Sequence, residues 1–236
     1  MKINELDLPS HVTLRTFESR DALANELAAT LGEHLKSTID QKGKASIAVS
    51  GGSTPLPLFK ALSTHDIPWA KTTVTLADDR WVSLDDPASN EQLVKDHLLV
   101  NAAKGARFVG FWQKNIQAEK AMAECRARLA ELDEPLSAVV LGMGNDGHTA
   151  SIFPCADELE EALSSNETCM VVKPKSAPHT RVTLTPKRLL DSDLRILHIC
   201  GEDKVATLAA ALASNNPKLM PISLFLQKPL TIYWAP

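Results

Sequence analysis

At 236 residues, 44% of them hydrophobic and 23% charged, the chain is long enough to bury one substantial core. A formal net charge of −4 without basic clusters argues against nucleic acid as a partner, and no apolar run reaches the length of a membrane span. Four scattered cysteines without a Cys-x-x-Cys pair, and an N-terminus lacking an apolar signal core, point to reduced thiols and a cytoplasmic protein.

Strand-like and helical patterns alternate along the chain. VTLRTF (12–17) reads as a first strand. A long helix follows, with Leu23, Leu27, Leu31 and Leu35 at four-residue spacing and Gly43 just beyond its end. The apolar, β-branched run ASIAVS reads as a buried strand, then GGSTP leads into a helix through Leu58 and Leu62. TTVTLADD reads as one strand, NEQLVKDHLLV as a helix, ARFVGFW as a strand and residues 117–132 as a helix. SAVVLGM, CMVV, RVTLT and LRILHIC are strand-like, EDKVATLAAALAS is helical, and LTIYWA closes the chain as a strand. This alternation predicts an α/β fold with a mainly parallel central sheet flanked by helices. Without repeats or a long linker, residues 1–236 are expected to form a single domain.

Ligands of such sheets bind outside the carboxyl ends of the strands. SGGSTP, ADDRW and LGMGNDGH each end a buried strand in polar or Gly-rich residues, so their chemistry is expected to meet on one sheet edge. In SGGSTP, Gly51 and Gly52 let backbone approach a ligand, Ser53 or Thr54 can cap the next helix, and Pro55 suits its first turn. The segment reads equally as a phosphate site of free N–H groups or as a plain capped turn. It lacks the lysine of a nucleoside-triphosphate loop. In ADDRWV, Arg80 can pair with phosphate and Asp78 can orient a hydroxyl, although a surface ion-pair cluster is the commoner meaning of such a stretch. Asp85 and Asp86 have no histidine near them in sequence and read as a solvated turn.

LGMGNDGHTASIFP carries Gly142, Gly144 and Gly147 in G-x-G-x-x-G spacing, yet Pro154 would break a dinucleotide-cradle helix early. What remains is a glycine turn displaying Asp146 and His148. An imidazole titrates near neutrality, so it can take a proton from water and return it. Farther on, Arg181 opens an apolar strand. Lys204 stands in the first turn of a helix, where it opposes the helix dipole unless an anion is bound or the side chain points to solvent.

Together, SGGSTP, ADDRWV, Ser89–Asn90, LGMGNDGHTASIFP, RVTLT and GEDK resemble the 6-phosphogluconolactonase family, within the group that includes glucosamine-6-phosphate deaminases and isomerases. The matches run in the same order from Ser50 to Lys204. Two departures are Asp79, where the family usually has Glu, and Cys155, where Gly commonly follows Phe-Pro. The resemblance implies a Rossmann-like fold and hydrolysis of 6-phospho-D-glucono-1,5-lactone, with no metal or organic cofactor. It implies that His148 is the general base, that Asp146 orients it, and that Asp78 and Asn90 lie close to the sugar. It also implies that Gly51, Gly52, Ser53, Thr54, Arg80, Arg181 and Lys204 hold the 6-phosphate. A sugar-phosphate deaminase-isomerase is the nearest alternative, but its family follows the histidine with a carboxylate, and Thr149, Ala150, Ser151, Ile152 and Phe153 are all non-ionisable. A non-catalytic sugar-phosphate sensor is the other, and it gives no reason for His148.

Overall fold

The computed structural model describes residues 2–236. In chain order the strands are β1 (Val12–Thr16), β2 (Ala45–Val49), β3 (Thr72–Leu76), β4 (Asp78–Arg80), β5 (Arg107–Val109), β6 (Leu136–Leu141), β7 (Cys169–Val172), β8 (Arg181–Leu184), β9 (Ser192–Cys200) and β10 (Leu230–Ala235). The helices are α1 (Arg20–Lys42), α2 (Leu56–Leu62), α3 (Asn90–His97), α4 (Ala118–Leu129), α5 (Leu159–Ser164), α6 (Pro186–Leu190), α7 (Asp203–Ser214) and α8 (Ser223–Leu226). Seven strands form the central sheet in the order β1-β10-β9-β6-β2-β3-β5, every pair parallel. The predicted α/β architecture is therefore the observed one.

The central strands show why. Every residue of β2 and of β6 is buried, as expected of parallel strands covered on both faces. The leucine stripe of α1 is fully buried, Ser19 caps its first turn, and Gly43 ends it in the left-handed conformation. Among the described residues, no helix is long and apolar enough to cross a membrane.

The structure departs from the sequence reading at TTVTLADD. This segment is two strands in two sheets, because β4 leaves the parallel sheet and joins an antiparallel one of order β4-β8-β7. Ala77 is the pivot. Its N–H donates to Val49 of the parallel sheet at 2.8 Å, while its carbonyl accepts from Leu184 of the second sheet at 2.9 Å. The short helices α5, α6 and α8 are also additional to the sequence reading, and ARFVGFW is paired only over Arg107–Val109.

Candidate active site

The carboxyl ends of β2, β3, β6 and β9 open onto one cleft of about 190 Å³. Ser50, Gly51, Thr54, Asp78, Arg80, Asn90, Gly142, Gly144, His148, Arg181, His198 and Lys204 are among its walls. The three loops expected to converge do so, and β8 and α7 deliver Arg181 and Lys204 to the same place. Of the residues singled out from the sequence, Gly52, Ser53 and Asp146 stand off the cleft wall. Ser53 is exposed, and Gly52 provides the left-handed turn at φ 93°.

The glycine turn after β6 shapes the histidine. Gly144 N–H donates to the His148 carbonyl at 2.9 Å, closing the turn, and Gly147 adopts φ 76°. A Cβ at Gly144 would lie 2.2 Å from the His148 ring, so only glycine fits there. No helix follows Gly147; the next one, α5, begins at Leu159. The run therefore has no helix N-terminus with which to hold a pyrophosphate.

His148 Nδ1 lies 2.5 Å from Asp146 Oδ1, and the His148 backbone N–H donates to the same oxygen at 3.1 Å. Burial raises the Asp146 carboxyl, but the hydrogen bond and charge of His148 outweigh it and hold the group below the ordinary carboxylate range. An ionised carboxylate only accepts, so Nδ1 carries the proton and Nε2 is left as the basic nitrogen. The imidazole stacks on Phe153 with ring centroids 4.0 Å apart, and the Arg181 guanidinium lies 5.7 Å from the same ring. Phe153 thus ties the orientation of the histidine to that of a cation.

Asp78 is buried, and Ser151 Oγ donates to its Oδ2 at 2.5 Å. Asn90 Nδ2 donates to the Asp78 carbonyl at 2.9 Å, and the Asn90 side chain fills the space over Gly51, where a Cβ would come within 2.0 Å of it. Asp79 points away from the cleft chemistry. Its carboxylate accepts from the backbone N–H groups of Asn90 (2.7 Å), Glu91 (3.0 Å) and Arg80 (2.7 Å), anchoring the start of α3. Burial pushes this carboxyl up to about 7 against the pull of those amides.

The cleft is cationic although the chain is net acidic. Arg80 and Arg181 are direct register partners across β4 and β8. Their hydrogen bonds go to the carbonyls of Ala88 (2.8 Å) and Pro178 (3.2–3.3 Å), and Arg80 Nε is buried without a protein partner. Lys204 bonds Asn145 Oδ1 and lies 3.7 Å from Asp203, so it is partly neutralised within its own loop. The expected cap by Ser53 or Thr54 is absent. Pro55 is the N-cap of α2, and no side chain bonds there, because a proline side chain carries no acceptor. Among the described residues, no group of three or more His, Cys, Asp or Glu is arranged to hold a metal ion.

Several contributors to this site were outside the sequence reading. Ser151 sits inside the run already singled out, but its partner Asp78 is 73 residues away. His198 is the one polar residue in the apolar stretch ILHIC, which is the only sequence signal it gives.

The carboxyl edge of a parallel α/β sheet thus joins an acid–imidazole pair to two facing arginines in one cleft. Residues 18–234 match the family model described as glucosamine-6-phosphate isomerases/6-phosphogluconolactonase. The chain is 41% identical over 238 residues to the 6-phosphogluconolactonase of Pseudomonas putida, covering 100% of this chain and 98% of the relative. It is 44% identical over 228 residues to that of Rhizobium meliloti, covering 94% and 98% respectively. The crystal structure of a 6-phosphogluconolactonase from Shewanella baltica superposes with a TM-score of 0.94 at 41% identity, covering 97% of this chain and 100% of that one. The chain belongs to the glucosamine-6-phosphate isomerase/6-phosphogluconolactonase family.

Proposed function

We propose that the chain hydrolyses 6-phospho-D-glucono-1,5-lactone to 6-phospho-D-gluconate, the lactone-opening step of the oxidative pentose phosphate pathway. The observation that carries the mechanism is the 2.5 Å contact of His148 Nδ1 with an ionised Asp146, in a cleft that also holds Arg80 and Arg181. The arginines, with Lys204 and the backbone of residues 51–54, hold the 6-phosphate. Because that group is remote from C1, its binding energy serves to position the reacting carbonyl.

His148 Nε2 takes a proton from a water as the water oxygen attacks C1, giving a tetrahedral oxyanion. Asp146 fixes the tautomer and stabilises the imidazolium that forms. When the oxyanion collapses, the C1–ring oxygen bond breaks and His148 returns its proton to the departing ring oxygen. Asp78, held by Ser151, and Asn90 bind sugar hydroxyls. An activated lactone needs one base and one site for developing charge, so the chemistry calls for neither a metal nor an organic cofactor. Residues 1–236 act in this reading as one catalytic domain of the cytoplasm, serving a small-molecule substrate rather than nucleic acid or membrane.

The test is hydrolysis of the lactone above its spontaneous rate, run beside incubation with glucosamine 6-phosphate. Rapid acid production from the lactone with no ammonia from the amino sugar supports the reading. Ammonia release at a catalytic rate would instead assign the deaminase reaction.

A further inference from the structure

Carrying the strand pairings two residues past β3 and β2 and one residue past β6 places Asp78, Gly51 and Gly142 in one row with His198 of β9 across the carboxyl edge of the sheet. All four line the cleft. The two central members are glycines, but they differ. The space over Gly51 is filled by the Asn90 side chain, whereas a Cβ at Gly142 would meet nothing within 4 Å. The open floor of the cleft therefore lies over Gly142, with Asn90 and Asp78 on one side and His198 on the other.

We propose that His198 is a substrate-contacting residue that hydrogen-bonds a ring hydroxyl of the sugar, from the side of the cleft opposite Asp78 and Asn90. This rests on the reading of the site given above. His198 is 4% exposed. Its Nε2 lies 4.0 Å from the Cys200 thiol, and its Nδ1 has no hydrogen-bond partner among the described residues. Burial pushes the imidazole down to about 4, so at neutral pH it is uncharged and has one donor and one acceptor nitrogen. A neutral imidazole suits a hydroxyl, which also donates and accepts. It does not compete for the phosphate, which the arginines draw to the other sheet. The role is distinct from that of His148, whose acid partner and loop position serve proton transfer.

The experiment compares wild type and His198→Leu on the parent lactone and on its 2-, 3- and 4-deoxy forms. A site built around a substrate hydroxyl rejects the analogue that lacks it, here by roughly 10- to 100-fold in kcat/KM. Wild type is expected to show that loss with the deoxy lactone that lacks the partner of His198, besides any loss at hydroxyls bound by Asp78 and Asn90. His198→Leu is expected to lose a similar factor on the parent and almost nothing further on that same analogue. Equal losses on the parent and on all three deoxy lactones would reduce His198 to a packing residue and overturn the proposal, as would full activity of the variant on the parent. If His198→Leu does not fold, His198→Phe, which fills similar space without a donor or acceptor, carries the same comparison. A wild type inactive on the parent lactone would contradict the proposed function rather than this contact.

Discussion

Arg80 and Arg181 stand directly opposite one another across the antiparallel pair β4–β8, and their guanidinium groups donate to backbone carbonyls. Like charges in that position repel, and burial together with the Arg80 charge lowers the affinity of Arg181 for its own proton. A dianionic phosphate between them removes the conflict. Arg181→Gln is therefore expected to raise KM by roughly 10- to 100-fold with kcat largely kept, since a charge-assisted hydrogen bond contributes about 1.5–3 kcal/mol. The melting temperature of the free variant should not fall. The rise in melting temperature caused by 6-phosphogluconate should shrink. A loss confined to kcat would place Arg181 elsewhere in the mechanism.

Asp146 holds His148 in the tautomer that leaves Nε2 basic. Asp146→Asn can present its amide to Nδ1 and so favour the wrong tautomer. We expect kcat to fall by about 10²- to 10⁴-fold, the range spanned by general-base catalysis, with KM little changed. Steady-state kinetics across a pH series would check this. Stability should respond as well. Burial raises this carboxyl and His148 more than offsets it, so the folded group lies below its unfolded value of 3.8. The stabilisation is full above that value and is lost as pH falls through the lower folded value. Urea titrations in this acid range should show a shallower decline for Asp146→Asn.

Gly144 has no room for a side chain, because a Cβ would lie 2.2 Å from His148 Nδ1 and Cε1 and 2.8 Å from Asp146 Oδ1. Gly144→Ala must displace the imidazole or open the turn. Activity should fall nearly as far as on removal of His148, while stability drops by only about 1–3 kcal/mol, the usual cost of overpacking. Gly142→Ala meets no such obstacle in the free protein. Measuring both variants by kinetics and thermal melting separates crowding of the histidine from crowding of the substrate.

His198 gives the fold an acid sensitivity of its own. Its folded value of about 4 lies below the unfolded 6.5, so the native state resists protonation. Stability is whole above the unfolded value and declines as pH falls toward the folded one, by about 3 kcal/mol at most. His198→Leu should flatten the stability curve over that interval, which chemical denaturation at several pH values would reveal. An unchanged slope would mean that His198 is protonated in the native state.

Periodicity made the parallel sheet legible, because β2 and β6 are buried on both faces and read as continuous apolar runs. It could not show the second sheet. Ala77 switches sheets through its two backbone groups, and neither glycine nor proline marks the place. Helices α6 and α8 span five and four residues, too few for a 3.6-residue period to declare itself. Within the site, His148 and Asp146 were readable because they are two residues apart on one turn. The Ser151–Asp78 bond, the Phe153 contacts and the facing of Arg80 by Arg181 were not, because each depends on long-range pairing. Asp79 follows Asp78 directly in the same strand. The pleat turns it to the opposite side, where it anchors α3.

The central claim is that His148 activates the attacking water. Hydrolysis of 6-phospho-D-glucono-1,5-lactone by wild type and by His148→Ala, each corrected for the spontaneous rate, tests it most directly. The account predicts a loss in kcat of at least about 10²-fold with KM nearly unchanged, since the phosphate contacts remain intact. A His148→Ala enzyme that keeps wild-type turnover would contradict it.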